Sequence, residues 1–261
     1  VQKTLEFPEL LQLIDERSTA FRAAIASAPD LEVKVPTCPE WTLLDLAAHL
    51  GAVHRRWVAI VSAGPTDGAP VGETAEEGAK AAPQERAALL AWSAESTRQL
   101  LDALREAGPD RGCWVWWDTS QSPHTSGAVA RHQVQEATVH TYDAQITGGA
   151  AQPLPDEAAL DGVEEFLSTC VATTTAWPHE PADLDLHATE GRSWRLSLSA
   201  DGARFTQLPT SGADTVPAAA SVSGTASELV LVLYDRKPID ALQIGGDRRV
   251  VEQLRDWDPD A

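Results

Sequence analysis

A chain of 261 residues, 43% hydrophobic and 23% charged, can bury a real core and is too apolar for a disordered or fibrous polymer; by length it makes two domains or one large one. Its formal net charge of −19 repels phosphate backbones and anionic lipid, which sets nucleic acid and membrane surfaces aside as partners. Cys38, Cys113 and Cys170 form no C-x-x-C pair, no run of about 18 apolar residues occurs, and VQKTLEFPELLQLIDERS lacks the apolar centre of an export signal, so a reducing cytoplasm is the expected compartment.

Leu11, Ile14, Phe21 and Ile25 fall on one helical face with charged residues opposite, which predicts a first bundle helix. The stretch PDLEVKVPTCPEW reads as a loop. Thr42 with Asp45 makes a capping box, and Leu43, Leu46, Leu50, Val53, Trp57 and Ile60 recur at threes and fours, the clearest helix in the chain. Residues 64–83, rich in Gly, Pro and Ala and without periodicity, are expected to be an exposed, mobile connection. Pro83 then opens a third helix that runs to Gly108-Pro109.

Trp114, Trp116 and Trp117, in the irregular GCWVWWDTSQSPHTSG, must cover apolar surface, by core packing across an end of the bundle or as the wall of a cavity. A fourth helix is expected from about Ser126 to Ile146, closed by Gly148-Gly149. After PLPDEA comes a helix through Leu160, Val163, Phe166 and Leu167. The segments DLDLHATEG, SWRLSLSADG and ARFTQLP then alternate polar and apolar residues, as a meander of strands does. Thr225 and Glu228 form a second capping box before LVLVLYDR, and a last helix covers Arg248 to Trp257. The expected fold class is α+β, with a helical bundle over residues 1–150 and a smaller α+β domain over 151–261.

His49 borders the buried stripe of the second helix, and a lone histidine there is most often only a core residue. On the fourth helix His132, Glu136 and His140 fall at i, i+4 and i+8, with Asp143 along the same row. That row reads either as a solvated face of weak ion pairs or as metal ligands converging between facing helices. A set of His49, Glu136 and His140 would suit a divalent metal such as zinc and leave a fourth position open; His132 as a fourth ligand would close it. The same donors serve nickel, cobalt and iron.

TCPEWTLLDLAAHLGAVHRRW, then CWVWW, then ARHQVQEATVHTYDAQ resemble the N-terminal domain of the mycothiol-dependent maleylpyruvate isomerase family, within the DinB-like superfamily. The family pattern C-P-x-W-(S/T)-x-x-x-(L/V)-x-x-H-(L/V), followed by R-x-x-x-H-E-x-x-x-H-x-x-D-A, places His49, Glu136 and His140 at its three metal positions. Gln135 departs from it, since histidine is usual before the glutamate. SELVLVLYDRKP followed by GGD resembles the end of the family's C-terminal domain, similar to sterol-carrier-like folds.

The resemblance implies a DinB-like four-helix bundle holding the metal and a C-terminal domain that helps to close the site. It implies an enzyme in which zinc holds mycothiol, the sugar-linked cysteine of actinobacteria, as thiolate. The thiolate would add to a small electrophilic substrate and leave again, an isomerisation, or stay, a transfer; no protein cysteine is needed, and Cys38 is read as structural. Arg236, which matches the family's arginine after the apolar helix, is the candidate partner for an acidic group of the substrate, against the reading of a helix-end arginine; Arg131 is a weaker candidate. Asp143 reads as support for a ligand or as a helix-end acceptor. His54, His124 and His187 receive no role. Two other functions fit the same residues: a hydrolase using zinc-bound water, and a non-catalytic, metal-stabilised binding protein. The protein is expected to work as a monomer or homodimer.

Overall fold

In the computed structural model, which describes residues 4–209 and 216–258, the chain divides into two compact units. One comprises Val1–Trp116 with Pro123–Leu154, the other Trp117–Ser122 with Pro155–Ala261.

The first unit is built on long helices whose starts are written in the sequence. Helix α1 (Phe7–Ser27) opens on a capping box between Glu6 and Glu9, with Pro8 in its first turn, and buries Leu11, Ile14, Phe21 and Ile25. The segment expected as a loop carries a short antiparallel hairpin, β1 (Lys34–Val35) and β2 (Cys38–Thr42). Its second strand runs straight into α2 (Leu43–Ala63), where the Thr42 hydroxyl accepts from the Asp45 amide and the Asp45 carboxylate accepts from the Thr42 amide.

Contrary to expectation, the connection 64–83 contains a helix, α3 (Ala75–Lys80), opened by a Thr74–Glu77 capping box. At six residues it is too short to show an apolar period. Helix α4 (Arg86–Ala107) begins three residues after Pro83, because the Glu85 carboxylate accepts from the amides of Ala87 and Ala88 and sets the start there. Helix α5 (Ser126–Thr147) is capped by Thr125.

α1 packs on α4 and α5, and α2 packs on the same pair, which makes a four-helix bundle. Sixteen of the 22 residues of α5 are buried, among them His132, Gln133, Gln135, His140 and Asp143. A helix enclosed all round yet rich in polar side chains needs partners for them inside the bundle.

In the second unit α6 (Asp156–Phe166) ends in one π turn, Leu167–Val171. Strands β3 (Ala182–Ala188), β4 (Ser193–Ser199) and β5 (Gly202–Gln207) form the expected meander. Two further strands escaped the sequence reading. β6 (Ala220–Gly224) lies parallel to β3, and β7 (Gln243–Gly246) pairs antiparallel with β6, giving the order β5-β4-β3-β6-β7. ASVSG and QIGG are short and hold few β-branched or aromatic residues, so neither has a strand signature.

One face of the sheet is apolar: Leu184, Leu186, Trp194, Leu196, Leu198 and Val222 are all buried. Helices α7 (Ala226–Leu233) and α8 (Arg248–Asp256) follow β6 and β7, with a 3₁₀ turn at Ile239–Ala241 between them. α7 opens on the expected Thr225–Glu228 box. It closes in a Schellman turn: the amide of Arg236 donates to Leu231 O at 2.6 Å and that of Asp235 to Val232 O at 3.0 Å. Asp235 takes the left-handed conformation, φ 58°, that such a turn requires. The segment Trp117–Ser122 is held in this unit: the Gln121 amide donates to Ser168 O at 3.0 Å, and the Phe205 amide donates to Gln121 Oε1 at 2.7 Å. No helix among the described residues is long and apolar enough to cross a membrane.

Candidate metal centre

Glu136 lies near the middle of α5, and its two carboxylate oxygens face different histidines. Oε2 is 3.5 Å from His140 Nε2, one turn along the same helix, and 3.8 Å from His49 Nε2, contributed by α2. Oε1 is 3.8 Å from His132 Nε2, one turn the other way. His49, Glu136 and His140 bring one donor atom each to within 4.8 Å of one another, and His132 stands outside that group, its ring flanked by Trp57 and Trp116. The row on α5 is therefore not a solvated face: His132 and His140 are buried, and about a fifth of the Glu136 side chain is exposed, at 21%.

The donors fit a divalent metal. Glu136 Oε2 is buried and makes no hydrogen bond among the described residues, an arrangement that is costly for a carboxylate unless a cation meets it. Two imidazole nitrogens and a carboxylate oxygen are a usual zinc set, and ligand atoms on a tetrahedral zinc stand roughly 3.4 Å apart, close to the 3.5 and 3.8 Å found here.

His140 is fixed from behind. Its Nδ1 lies 2.9 Å from Oδ2 of Asp143, which is wholly buried, so the carboxylate favours the tautomer with the proton on Nδ1 and leaves Nε2 to the cluster. Asp143 is held in turn by the Thr37 hydroxyl, which donates to Oδ1 at 2.6 Å, and by the Cys38 thiol, 3.8 Å from Oδ2. Thr37 and Cys38 thereby tie the site to the β1–β2 hairpin that leads into α2. Trp41, on β2, lays its ring 4.5 Å from that of His49 and 6.2 Å from that of His140.

The electrostatics agree with a place for a cation. Burial pushes the Glu136 carboxyl up, but the imidazoles of His140 and His49 outweigh it and hold the group well below the usual carboxylate range. Burial pulls His140 down, yet Asp143 and Glu136 together raise it to about 9. Positive charge is favoured at this point, whether as imidazolium or as a metal.

Other residues singled out from the sequence lie elsewhere. Arg236 belongs to the second unit, where its guanidinium Nη1 donates to the Tyr234 carbonyl at 2.7 Å, at the end of α7. Arg131 is partly buried on α5. The three tryptophans do not act as one cluster: Trp117 is buried in the second unit, while Trp114 and Trp116 belong to the first, the latter with its ring 5.7 Å from His132. Among the described residues no disulfide joins the cysteines.

Trp41 and Thr37 were not recognised from the sequence as parts of the site. Trp41 precedes its helix, where no period links it to His49. Asp143 at i+3 from His140 did carry a signal, the spacing of an intrahelical pair.

Residues 11–145 match the mycothiol maleylpyruvate isomerase N-terminal domain, and residues 157–253 match the corresponding C-terminal domain. Two crystal structures share the fold, the mycothiol-dependent maleylpyruvate isomerase at 18% identity and a histidine-to-alanine mutant of it at 17%. Each alignment covers 92% of this chain and 93% of the other, with a TM-score of 0.60. At such identity the likeness is one of fold. No match is found among curated protein sequences.

Proposed function

Because the chain belongs to the mycothiol maleylpyruvate isomerase family of enzymes, we propose that it uses mycothiol to isomerise or conjugate a small electrophile, with His49, Glu136 and His140 holding a divalent metal, zinc by its donor set. The observation that carries the reading is the meeting of these three side chains from two helices around a carboxylate oxygen with no hydrogen bond among the described residues. Zinc in such a site supplies a Lewis acid that lowers the pKa of a thiol it binds, so that the nucleophile exists near neutral pH.

The chain's own residues then have separable tasks. Asp143 keeps the His140 proton on Nδ1 and Nε2 turned to the centre, and Thr37 keeps Asp143 in place. Glu136 brings the negative charge that balances part of the metal's. Trp41 covers the His49 ring and limits water on that side. Arg236 is assigned the anionic group of the substrate, since a guanidinium receives a carboxylate through two parallel hydrogen bonds. The reaction is placed in the cytoplasm, with no nucleic-acid or membrane partner and the chain working as a monomer or homodimer.

The test is the metal content of the purified protein beside His49→Ala and Glu136→Ala, followed by turnover with and without mycothiol. About one zinc per chain, absent from both variants, with turnover that requires the thiol, is expected. Absence of metal from the unaltered protein overturns the reading. Turnover without any thiol favours a hydrolase, and a site saturated by protein ligands favours a binding protein.

A further inference from the structure

A cavity of about 510 Å³ lies within the second unit, on the apolar face of its sheet. Leu184, Leu186 and Val222 form its floor, each at most 3% exposed, and Leu229 of α7 and Val251 of α8 stand on its walls. Protein interiors leave few voids larger than a water molecule, and apolar voids reduce stability in proportion to their volume. A space of this size belongs to the range of small-molecule pockets.

The mouth is charged. Asp235, Arg255 and Asp256 are its exposed lining residues; Arg255 Nε donates to Asp256 Oδ1 at 2.9 Å and Arg255 is also drawn to Asp235, so one cation faces two carboxylates and the opening keeps an excess negative charge. Asp235 occupies the Schellman position at which glycine is the usual residue, and it is the non-glycine residue with positive φ among those described. A side chain kept there, in a backbone conformation that L-residues rarely adopt, sets a carboxylate on the rim.

We propose that this cavity binds a small amphiphile with an apolar body and a cationic head, the body on the sheet floor and the head beside Asp235. The cavity's lining residues all belong to the second unit, whereas His49, Glu136 and His140 belong to the first.

Calorimetric titration of the intact protein with dodecylammonium, dodecanol and dodecanoate tests this, since the three share a chain and differ in head charge. Saturable binding of one molecule per chain is expected, tightest for dodecylammonium and weakest for dodecanoate. Val232→Trp and, as a second filling variant, Leu254→Trp should each weaken it roughly tenfold or more. Asp235→Asn should narrow the preference for the cation by about two- to fivefold, the worth of one partly exposed ion pair. Bound ligand should slow alkylation of Cys170, a lining residue, by N-ethylmaleimide, followed on the Cys170 peptide. Adsorption of the cation to the acidic surface would leave both the filling variants and Cys170 alkylation unchanged, and that outcome overturns the proposal. So do a preference for dodecanoate and the absence of saturable binding.

Discussion

His140 and Asp143 meet on one turn of α5 through Nδ1 and Oδ2 at 2.9 Å, and Thr37 reaches from the hairpin to hold the second oxygen of the same carboxylate at 2.6 Å. Nε2 of His140, the atom turned to Glu136, is therefore oriented by a chain of contacts that starts outside the bundle helices.

If that chain of contacts orients the ligand, Asp143→Asn should lower zinc affinity by roughly ten- to a hundredfold while the helical content stays. Competition with a chromophoric chelator measures it. Thr37→Val should act in the same direction and less, since it removes one support of Asp143 and leaves the His140 contact in place. An affinity unchanged in Asp143→Asn would reduce the residue to filling space.

His132 faces Glu136 Oε1, whereas His49 and His140 face Oε2. We expect His132→Gln to keep about one metal per chain, with an affinity within roughly tenfold of the parent. Elemental analysis after gel filtration settles the stoichiometry. Loss of the metal would make His132 a fourth ligand and the site a closed one, which favours a structural role.

His54 is buried in the bundle, its Nδ1 3.3 Å from the Thr97 hydroxyl, and burial takes its pKa from 6.5 down to about 4. Above pH 6.5 the ring is neutral in both folded and unfolded chains and contributes no pH dependence. Between 6.5 and 4 the unfolded chain takes up a proton that the folded one refuses, so stability falls with falling pH by about 1.4 kcal/mol per unit. Urea melts at pH 7 and pH 5 should show that slope, and His54→Gln should flatten it by a comparable amount. Parallel slopes in the two proteins would contradict the assignment.

Gly202 begins β5 at φ 108°, and a Cβ built there would stand 2.0 Å from the carbonyl oxygen of Thr173. The obstacle is backbone, fixed by the paired hydrogen bonds between Thr173 and Ala203. Gly202→Ala should therefore destabilise by more than about 2 kcal/mol, seen as a lower melting temperature. Gly108→Ala, with open space around its Cβ, is the control for the cost of positive φ alone.

The parts of this molecule that could be read from the sequence are those fixed by short-range chemistry. Thr42 with Asp45 and Thr225 with Glu228 announce two helix starts because a capping box needs only four residues. The ladder His132, Glu136, His140 is visible because helix geometry makes every fourth residue a neighbour. His49 entered the set as a histidine bordering the buried stripe of α2, and family resemblance then singled it out, since nothing local says which helix faces α5. Strands β6 and β7 stayed hidden because their pairing is with residues far along the chain and their side chains are small. Trp41 was missed for the same reason: its place beside His49 follows from the hairpin, whose pairing the sequence did not announce.

The second unit takes six residues, Trp117–Ser122, from between α4 and α5 of the first. No single cut then yields both pieces whole. A fragment beginning at Pro155 would lack the Gln121 bridge between Ser168 and Phe205 and the buried Trp117, and should be less stable than the same unit in the full chain. During synthesis those six residues emerge well before the strands that will hold them, so completion of the second unit waits on the far end of the chain. Evolution could not have exchanged either unit at one junction without leaving part of its neighbour behind.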